Sequence, residues 1–330
     1  MSTVSVAAQN VRTIAIVGTG VIGGGWAAHF LRMGYDVVAW DPGAGAEEHL
    51  SALVAQAWPA LIKLGLRGGA SQDRLTFAES LGAALEHADF VQESSPEVLD
   101  SKVTLLAEID RLTPPGVVVG SSTSGLCMSQ MAVACETPER FVVGHPFNPP
   151  YLLPIVEIVA GEKTSTDVVQ WATEFYNLAG KKTLTMDREV SGFVGNRLQE
   201  AMWREALHMI ESGDATAQQI DDAITHGPGM RWALMGPILT YHVGGGHGGM
   251  AHLFEKFGPT LLEPWTRLDA PELTPELRDT VVGGANDVAR GRTVGEWERI
   301  RDAFLVDLLV LLDEHRQAIE SQTTAALGNG

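Results

Sequence analysis

The stretch that decides the fold is TIAIVGTGVIGGGWAAHFLRMGYDVVAWD, residues 13–41. Its first part, residues 13–17, is a short apolar run of the kind that forms a buried parallel strand. A glycine-rich turn follows, then a stretch of helical character over residues 26–32 and a second apolar run over residues 35–40. The segment therefore predicts a complete β-α-β unit of about 30 residues.

The turn GTGVIG, residues 18–23, matches the pattern G-x-G-x-x-G, which by itself is weak evidence. Here it follows a strand, opens a helix and is succeeded by an acid, Asp41, at the end of the next strand, so the full dinucleotide-binding fingerprint is present. Gly18 allows the tight turn, Gly20 lets the backbone approach the pyrophosphate, and Gly23 lets helix and strand pack closely. The residues of this turn that we expect to bind the cofactor are Gly18, Gly20, Val21, Ile22 and Gly23.

The acid at the end of the second strand predicts which dinucleotide is bound. Asp41 can accept hydrogen bonds from the diol of the adenosine ribose, whereas a 2′-phosphate at that place would face a carboxylate. The next residue, Pro42, supplies no cation to offset the repulsion. The expected cofactor is NAD rather than NADP.

The remaining chain divides into two parts of different character. Further short apolar runs alternate with helical segments, which predicts an α/β fold with a doubly wound, Rossmann-type sheet. These strand candidates are residues 90–92, 117–119, 141–143, 155–159 and 183–185. After Ser191 helical periodicity dominates, so we expect an NAD-binding domain over residues 1–189 and an all-helical substrate and dimerisation domain over residues 190–330.

Three start signals for helices are readable in the second half. They are the pairs Thr216 and Gln219, Thr274 and Pro275, and Thr293 and Glu296. Residues 227–236 and 244–249 are rich in glycine and are predicted to interrupt the helices as loops.

Composition excludes several classes of function. The formal charge of −18 argues against a nucleic-acid partner or an anionic membrane surface. Two cysteines are too few for a disulfide framework, and no segment has the length of a membrane span or the pattern of a signal peptide, so we expect a cytoplasmic protein. His242, His247 and His252 are spaced by five and share no helical face, so we expect no metal site.

Oxidation of a hydroxyl by a nicotinamide cofactor needs a base that accepts the hydroxyl proton, ordinarily a histidine. Composition cannot choose among the ten histidines, but His145 follows the predicted strand 141–143, and ligands in open α/β sheets bind beyond the carboxyl ends of strands. Glu157 lies on the next predicted strand, where it could bind the second ring nitrogen of His145. Such a pair would fix the tautomer and stabilise the imidazolium.

Four motifs resemble, in their order and spacing, those of the 3-hydroxyacyl-CoA dehydrogenase family. They are SSTS at 121–124, GHPFNP at 144–149, VE at 156–157 and GFVGNR at 192–197. The resemblance extends over nearly the whole chain. It implies that His145 is the base, that Glu157 is its partner and that the protein is a homodimer.

The same resemblance assigns roles to four further polar residues. It implies that Ser124 and Asn196 hydrogen-bond the reacting oxygen, and that Glu97 and Lys102 approach the cofactor. From the residue types alone, Ser124 could equally belong to a turn. Asn196, near the start of a helix, could equally be a local cap.

The substrate is predicted from a departure within one motif. Family members that act on coenzyme A thioesters carry HFFNP, whereas this chain has HPFNPPY at 145–151, which resembles the branch acting on small free 3-hydroxy acids. Segments of the second half resemble members of that branch that oxidise L-carnitine. These segments are residues 230–236, 239–241, 257–259, 264–266 and 270–274. The expected reaction is NAD-dependent oxidation of L-carnitine to 3-dehydrocarnitine.

A substrate that carries a trimethylammonium group and a carboxylate needs two kinds of partner. The quaternary cation cannot donate hydrogen bonds and is held best over aromatic faces. The aromatic candidates are Phe147, Trp232, Tyr241 and Phe257, and the candidates for the carboxylate are Arg197 and Arg231. Each of these aromatic residues is equally compatible with a place in a hydrophobic core.

Three other interpretations stay open. L-gulonate or another small 3-hydroxy acid would need polar partners for its additional hydroxyl groups, and a 3-hydroxyacyl-CoA would need a local basic pocket. The third is a crystallin-like nucleotide-binding protein without turnover. The presence of His145, Glu157 and Asp41 argues against this last interpretation.

Overall fold

The computed structural model of the chain describes residues 4–186, 188–234, 236–257, 266, 272 and 274–327. Contacts divide the chain into two compact units, Met1–Arg197 and Leu198–Gly330. The boundary predicted from the sequence, near residue 189, lies a few residues earlier.

The first unit is built on an eight-stranded sheet. Its strands are β1 Thr13–Val17, β2 Asp36–Trp40, β3 Leu75–Phe77, β4 Phe90–Glu93, β5 Val118–Ser121, β6 Phe141–Pro146, β7 Ile155–Ala160 and β8 Lys182–Met186. Their order is β3-β2-β1-β4-β5-β6-β7-β8, and every neighbouring pair is parallel except β6 and β7, which are antiparallel. The predicted strands are confirmed, whereas β3 was missed because its three residues carry no apolar alternation long enough to recognise.

Helices cover both faces of this sheet. They are α1 Val21–Arg32, α2 Ala46–Lys63, α3 Leu81–Leu85, α4 Leu99–Leu112, α5 Met128–Met131 and α6 Thr166–Leu178. Ile14 and Ile16 of β1 belong to the core cluster that contains side chains of α1, α2 and α6. Ala15 and Val17 belong to the cluster that contains side chains of α3, α4 and α5. Because successive strand residues point to opposite faces, the alternation confirms the doubly wound, Rossmann-type fold.

The second unit is helical in its described residues. Its helices are α7 Gly195–Ser212, which begins in the first unit, α8 Ala217–Thr225, α9 Gly229–Trp232, α10 Pro237–Gly244, α11 Gly249–Phe257, α12 Pro275–Ala289 and α13 Val294–Leu327. The three predicted start signals are confirmed, since the side chains of Thr216, Thr274 and Thr293 each accept a hydrogen bond from a backbone N–H three residues ahead.

The prediction of a loop over residues 227–236 was wrong in part, because this segment contains the short helix α9. Its glycines did not prevent one helical turn from forming. Among the helices of the described residues, none combines the length and the apolar character required to cross a bilayer.

Candidate active site

The candidate site lies where parallel strands of the first unit end. The strands β1, β4, β5 and β6 run in the same direction, so their carboxyl ends meet along one edge of the sheet. This is the edge at which open α/β sheets bind their ligands. The turn after β1 and the residues at the ends of β4, β5 and β6 are therefore brought together by the topology.

The turn between β1 and α1 is shaped for close approach of a phosphate group. Gly18 has φ +91°, and a Cβ atom on it would lie 2.7 Å from the carbonyl of Ser94. A Cβ on Gly23 would lie 1.9 Å from the oxygen of Gly18, whereas a Cβ on Gly20 would meet no atom within 4 Å. Tight packing beneath the turn and open space above it at Gly20 are what a bound pyrophosphate requires.

Val21 and Ile22, which follow Gly20 in the chain, have different environments. Val21 is exposed at the first position of α1, whereas Ile22 is half-buried and packs against the core.

The carboxylate at the end of β2 is held in a fixed orientation. Asp41 accepts hydrogen bonds from the backbone N–H of Thr19 and of Gly43, each at 2.8 Å. It is partly exposed, so its oxygens stay available to a ribose diol. With Gly18 and Gly20 on the same turn, these residues fit the adenosine half of NAD.

His145 and Glu157 form a buried pair across two antiparallel strands. They are directly opposite each other in the register of β6 and β7, and His145 Nδ1 lies 2.7 Å from Glu157 Oε2. The other oxygen, Glu157 Oε1, accepts the backbone N–H groups of Val194 and Gly195, each at 2.9 Å. Burial alone would raise the pKa of Glu157, but these hydrogen bonds hold it below its ordinary value.

The ionised carboxylate determines the tautomer of the histidine. An acceptor at 2.7 Å from Nδ1 places the ring proton on that nitrogen, so Nε2 of His145 carries the free lone pair. Nε2 makes no hydrogen bond with any described residue. The pair is therefore arranged so that Nε2 can accept a proton from a substrate.

Two aromatic rings fix the imidazole from its sides. The ring of Phe147 lies 5.0 Å and that of Phe193 lies 5.4 Å from the ring of His145, measured between centroids. Phe193 is buried and has φ +51°, an uncommon backbone conformation for a residue other than glycine, and it follows Gly192 with φ +72°. This turn directs the next two N–H groups at Glu157.

Ser124, Asn196 and Glu97 form a second polar cluster in the first unit. The side-chain amide of Asn196 donates to the backbone oxygen of Ser124 at 2.7 Å. The N–H and hydroxyl of Ser124 donate to Glu97 Oε1 at 2.8 and 3.2 Å, and the hydroxyl of Thr123 donates to the same oxygen at 2.6 Å. Burial would raise the pKa of Glu97, but the hydrogen bonds from Thr123 and Ser124 lower it, so the group is anionic.

Lys102 is buried and lies between two carboxylates. Its ammonium donates to both oxygens of Glu93, at 2.8 and 3.1 Å, and lies 3.7 Å from Glu97. Glu93 also accepts the hydroxyls of Ser95 and Ser121, both at 2.5 Å. Sequence reasoning missed Glu93, although an acid at the carboxyl end of a buried strand was the available signal. The role of Lys102 toward the cofactor remains a prediction.

The residues predicted to contact the rest of the substrate fall in both units. Phe147 is in the first, and Arg197, its last residue, is exposed in the first turn of α7. Arg231 and Trp232 on α9 and Tyr241 on α10 are exposed in the second. Phe257 ends α11, and its side chain lies outside the described part of the structure. Among the described side chains, no group of three His, Cys, Asp or Glu could hold a metal ion.

Two models of one family match consecutive parts of the chain. The model described as 3-hydroxyacyl-CoA dehydrogenase, NAD binding domain, matches residues 13–190, and the model described as 3-hydroxyacyl-CoA dehydrogenase, C-terminal domain, matches residues 192–277. Together they span most of the sequence, including the whole sheet and the residues around His145.

Curated relatives are similar over almost their full lengths. The L-carnitine dehydrogenase of Nocardiopsis dassonvillei is 56% identical over 96% of this chain and 97% of the relative. That of Streptomyces coelicolor is 58% identical over 91% of this chain and 95% of the relative, and that of Pseudomonas aeruginosa is 50% identical over 92% and 95%.

Solved structures give the same result for the fold. An NAD-dependent dismutase, 5-formyl-3-hydroxy-2-methylpyridine 4-carboxylic acid 5-dehydrogenase, has a TM-score of 0.79 with 27% identity over 92% of this chain and 99% of its own. A (S)-3-hydroxybutyryl-CoA dehydrogenase from Ralstonia eutropha has a TM-score of 0.61 with 27% identity over 83% and 94%. The chain belongs to the 3-hydroxyacyl-CoA dehydrogenase family and is an NAD-dependent oxidoreductase that oxidises a hydroxyl group.

Proposed function

We propose that the protein oxidises the 3-hydroxyl of L-carnitine to 3-dehydrocarnitine with NAD. The observation that carries the reaction is the His145–Glu157 pair, because its carboxylate leaves Nε2 of the imidazole as a proton acceptor. The observation that favours this substrate is the set of L-carnitine dehydrogenases that are 50–58% identical to the chain.

The site residues divide the work of removing a proton from the substrate. Bound NAD would supply the acceptor for the hydride that leaves the carbon bearing the hydroxyl. His145 Nε2 accepts the hydroxyl proton, and Glu157 stabilises the imidazolium that results. Asn196 is a proposed donor to the oxygen as it becomes a carbonyl, because its amide has a second N–H beside the one it donates to Ser124. Ser124 is the other proposed donor, with its hydroxyl turning from Glu97 to the substrate.

Arg197 is the proposed partner of the substrate carboxylate. It follows Asn196 directly, it is exposed, and its guanidinium forms no ion pair or hydrogen bond with any described residue. A cation in the first turn of a helix is disfavoured by the helix dipole, so its place there is better explained by an anionic ligand than by helix stability. Its guanidinium can bind a carboxylate with two hydrogen bonds.

Phe147 is the proposed contact of the trimethylammonium group in the first unit. Its ring is half-buried and packs against the imidazole of His145, so it lies beside the proposed proton acceptor. An aromatic face contributes about 0.5–2 kcal/mol to the binding of a quaternary cation. Trp232 and Tyr241, in the second unit, stay candidates for binding the same group.

The substrate assignment is tested by following NADH absorbance with NAD and each of L-carnitine, L-gulonate and a 3-hydroxyacyl-CoA. We expect turnover with L-carnitine and its loss in His145→Ala, with NAD affinity retained. The matched control is His87→Ala, which removes an exposed histidine and should leave turnover unchanged. Turnover with L-gulonate but not with L-carnitine would refute the assignment, and NAD binding without any turnover would favour a crystallin-like role.

We also propose that the protein is a homodimer. The long helix α13 carries large apolar side chains that are exposed at intervals of three, four and seven residues, and such a stripe is typical of a face that packs on another helix. These residues are Trp297, Ile300, Phe304 and Leu311. Sedimentation at micromolar concentration should give twice the mass of 35.3 kDa, and a single chain would refute the proposal.

A further inference from the structure

Lys181 is a buried lysine that has no carboxylate partner among the described residues. Only 7% of it is exposed, and it lies in the turn between α6 and β8. Burying an ammonium without a counter-ion is unfavourable unless its hydrogen-bonding groups are satisfied. Burial, followed by the nearby charge of Arg32, lowers the pKa of Lys181 to about 7. The hydrogen bonds of Lys181 must therefore offset the cost of its burial.

The partners of Lys181 belong to the segment that follows the histidine of the site. Its Nζ donates to the backbone oxygens of Pro150 and Leu153, the latter at 3.2 Å. The segment over residues 147–153 runs from Phe147 to this anchor. A neutral amine still has two N–H groups for the two carbonyls, so both protonation states of Lys181 can hold the segment.

The same lysine also reaches the helix that opens at the cofactor turn. Its Nζ lies 5.0 Å from the ring centroid of Trp26 on α1. A Cβ atom on the preceding residue, Gly25, would lie 2.6 Å from Cδ of Pro150, so the segment rests directly on α1. The indole N–H of Trp26 donates to Ser122 at 3.2 Å, just beyond the end of β5. Lys181 thus joins the segment after His145 to the helix of the dinucleotide turn.

The other end of the segment contacts the imidazole. The ring of Phe147 lies 5.0 Å from that of His145 and would collide with a Cβ atom on Gly195, at 2.3 Å. A shift of the segment therefore moves the ring that packs beside the base.

We propose that Lys181 is a positioning residue that anchors residues 147–153 to α1 and so holds Phe147 against the histidine. The inference rests on the proposed role of His145 as the base. Lys181 itself does not touch the reacting atoms.

The first test does not use a substrate. Leu152 and Leu153 both donate their N–H groups to the oxygen of Pro149 at 3.0 Å, and their hydrogen exchange reports how well the segment is held. Lys181→Met keeps the apolar stem and removes the donors, so we expect about tenfold faster exchange at these two amides. The matched control is Lys182→Met, which changes the exposed neighbour and should leave exchange unchanged. Unchanged exchange in Lys181→Met would overturn the anchor.

The second test measures turnover at saturating NAD with whichever hydroxy acid the wild-type protein oxidises. In Lys181→Met we expect kcat to fall about 10- to 100-fold, as for a displacement of up to 1 Å at a reacting group, with the Kd for NAD within about twofold of wild type. Faster exchange with unchanged kcat would refute the positioning role. An equal loss of kcat and NAD affinity, together with a lowered Tm, would show that Lys181 serves stability alone.

A second variant keeps the inference testable if Lys181→Met does not fold. Gly25→Ala presses a methyl group on the ring of Pro150 while leaving the ammonium in place. We expect the same lowered kcat, and an unchanged kcat would contradict the proposal. Absence of wild-type turnover with L-carnitine would refute the substrate assignment only, because the exchange measurement needs no substrate.

Discussion

Replacing Glu157 by glutamine should disable the base while preserving the fold. In the native site one oxygen of Glu157 accepts the N–H groups of Val194 and Gly195, and the other faces Nδ1 of His145. A glutamine amide has one acceptor and one donor. Because two backbone N–H groups require the acceptor, the amide nitrogen of Gln must face the imidazole. Nδ1 then accepts, the ring proton moves to Nε2, and Nε2 can no longer take the substrate proton.

The expected loss of kcat in Glu157→Gln follows from losing both the correct tautomer of His145 and the negative charge beside it. An amide that imposes the wrong tautomer in a comparable histidine–carboxylate pair lowers kcat by about 10⁴. At 1.36 kcal/mol for each factor of ten, this is about 5 kcal/mol of transition-state stabilisation. We therefore expect Glu157→Gln to lower kcat by about 10³- to 10⁴-fold. NAD affinity should be unchanged, since Glu157 has no contact with the turn at residues 18–23.

The assay is single-turnover formation of NADH together with an equilibrium titration of NAD. The matched control is Glu162→Gln, which changes an exposed carboxylate just beyond the same strand and should leave both measurements unaffected. A value of kcat within tenfold of wild type in Glu157→Gln would refute the argument from the tautomer. Alkaline pH should not restore activity, because the amide has no proton to lose in the accessible range.

Three further outcomes are expected. Asp41→Ala should weaken the affinity for NAD by about tenfold or more and change the affinity for NADP little. An unchanged ratio of the two affinities would contradict the assignment of Asp41 to the ribose. Gly23→Ala should lower Tm by several degrees, because its methyl would overlap the oxygen of Gly18, whereas Gly20→Ala should keep Tm and lose NAD affinity on titration. Lys181 has a pKa of about 7 in the folded chain and 10.5 ordinarily, so between pH 7 and 10 the unfolded chain holds the proton and the folded chain has released it. The unfolding free energy of the wild type relative to Lys181→Met, measured by urea titration, should therefore rise with pH in this range.

Much of the fold was predictable because its signals are local. The strand, turn and helix of residues 13–41 each follow from residue type and spacing, and the starts of α8, α12 and α13 follow from their capping threonines. The lengths of the strands, by contrast, depend on pairing with other strands and not on local signals. β6 extends to Pro146, three residues past its predicted end, because pairing with β7 stabilises residues that have no strand signal of their own.

The site was predictable only in part, for the same reason. His145 was predicted from its place just after a strand, and Glu157 from its place on the next strand. The register of β6 and β7 places the two residues opposite each other. Glu93 carried a local signal, an acid at the end of a buried strand, but its contacts with Lys102 and Ser121 are formed only in the fold. Phe193 was missed because its contact with His145 joins distant segments. Lys181 could not be singled out either, since a lysine in a turn is ordinarily exposed and only the packed structure shows it buried.

The conformation of Phe193 makes this position difficult to replace. A left-handed backbone costs a bulky residue about 1 kcal/mol or more, and glycine would adopt it without that cost. The side chain of Phe193, however, is buried in the core cluster beside α3, α4 and α5, and removing it would cost about 3–5 kcal/mol of packing. The packing outweighs the backbone strain, so a search for thermostable variants should recover few replacements at residue 193, and the same ring that stabilises the fold also forms a rigid wall beside the imidazole.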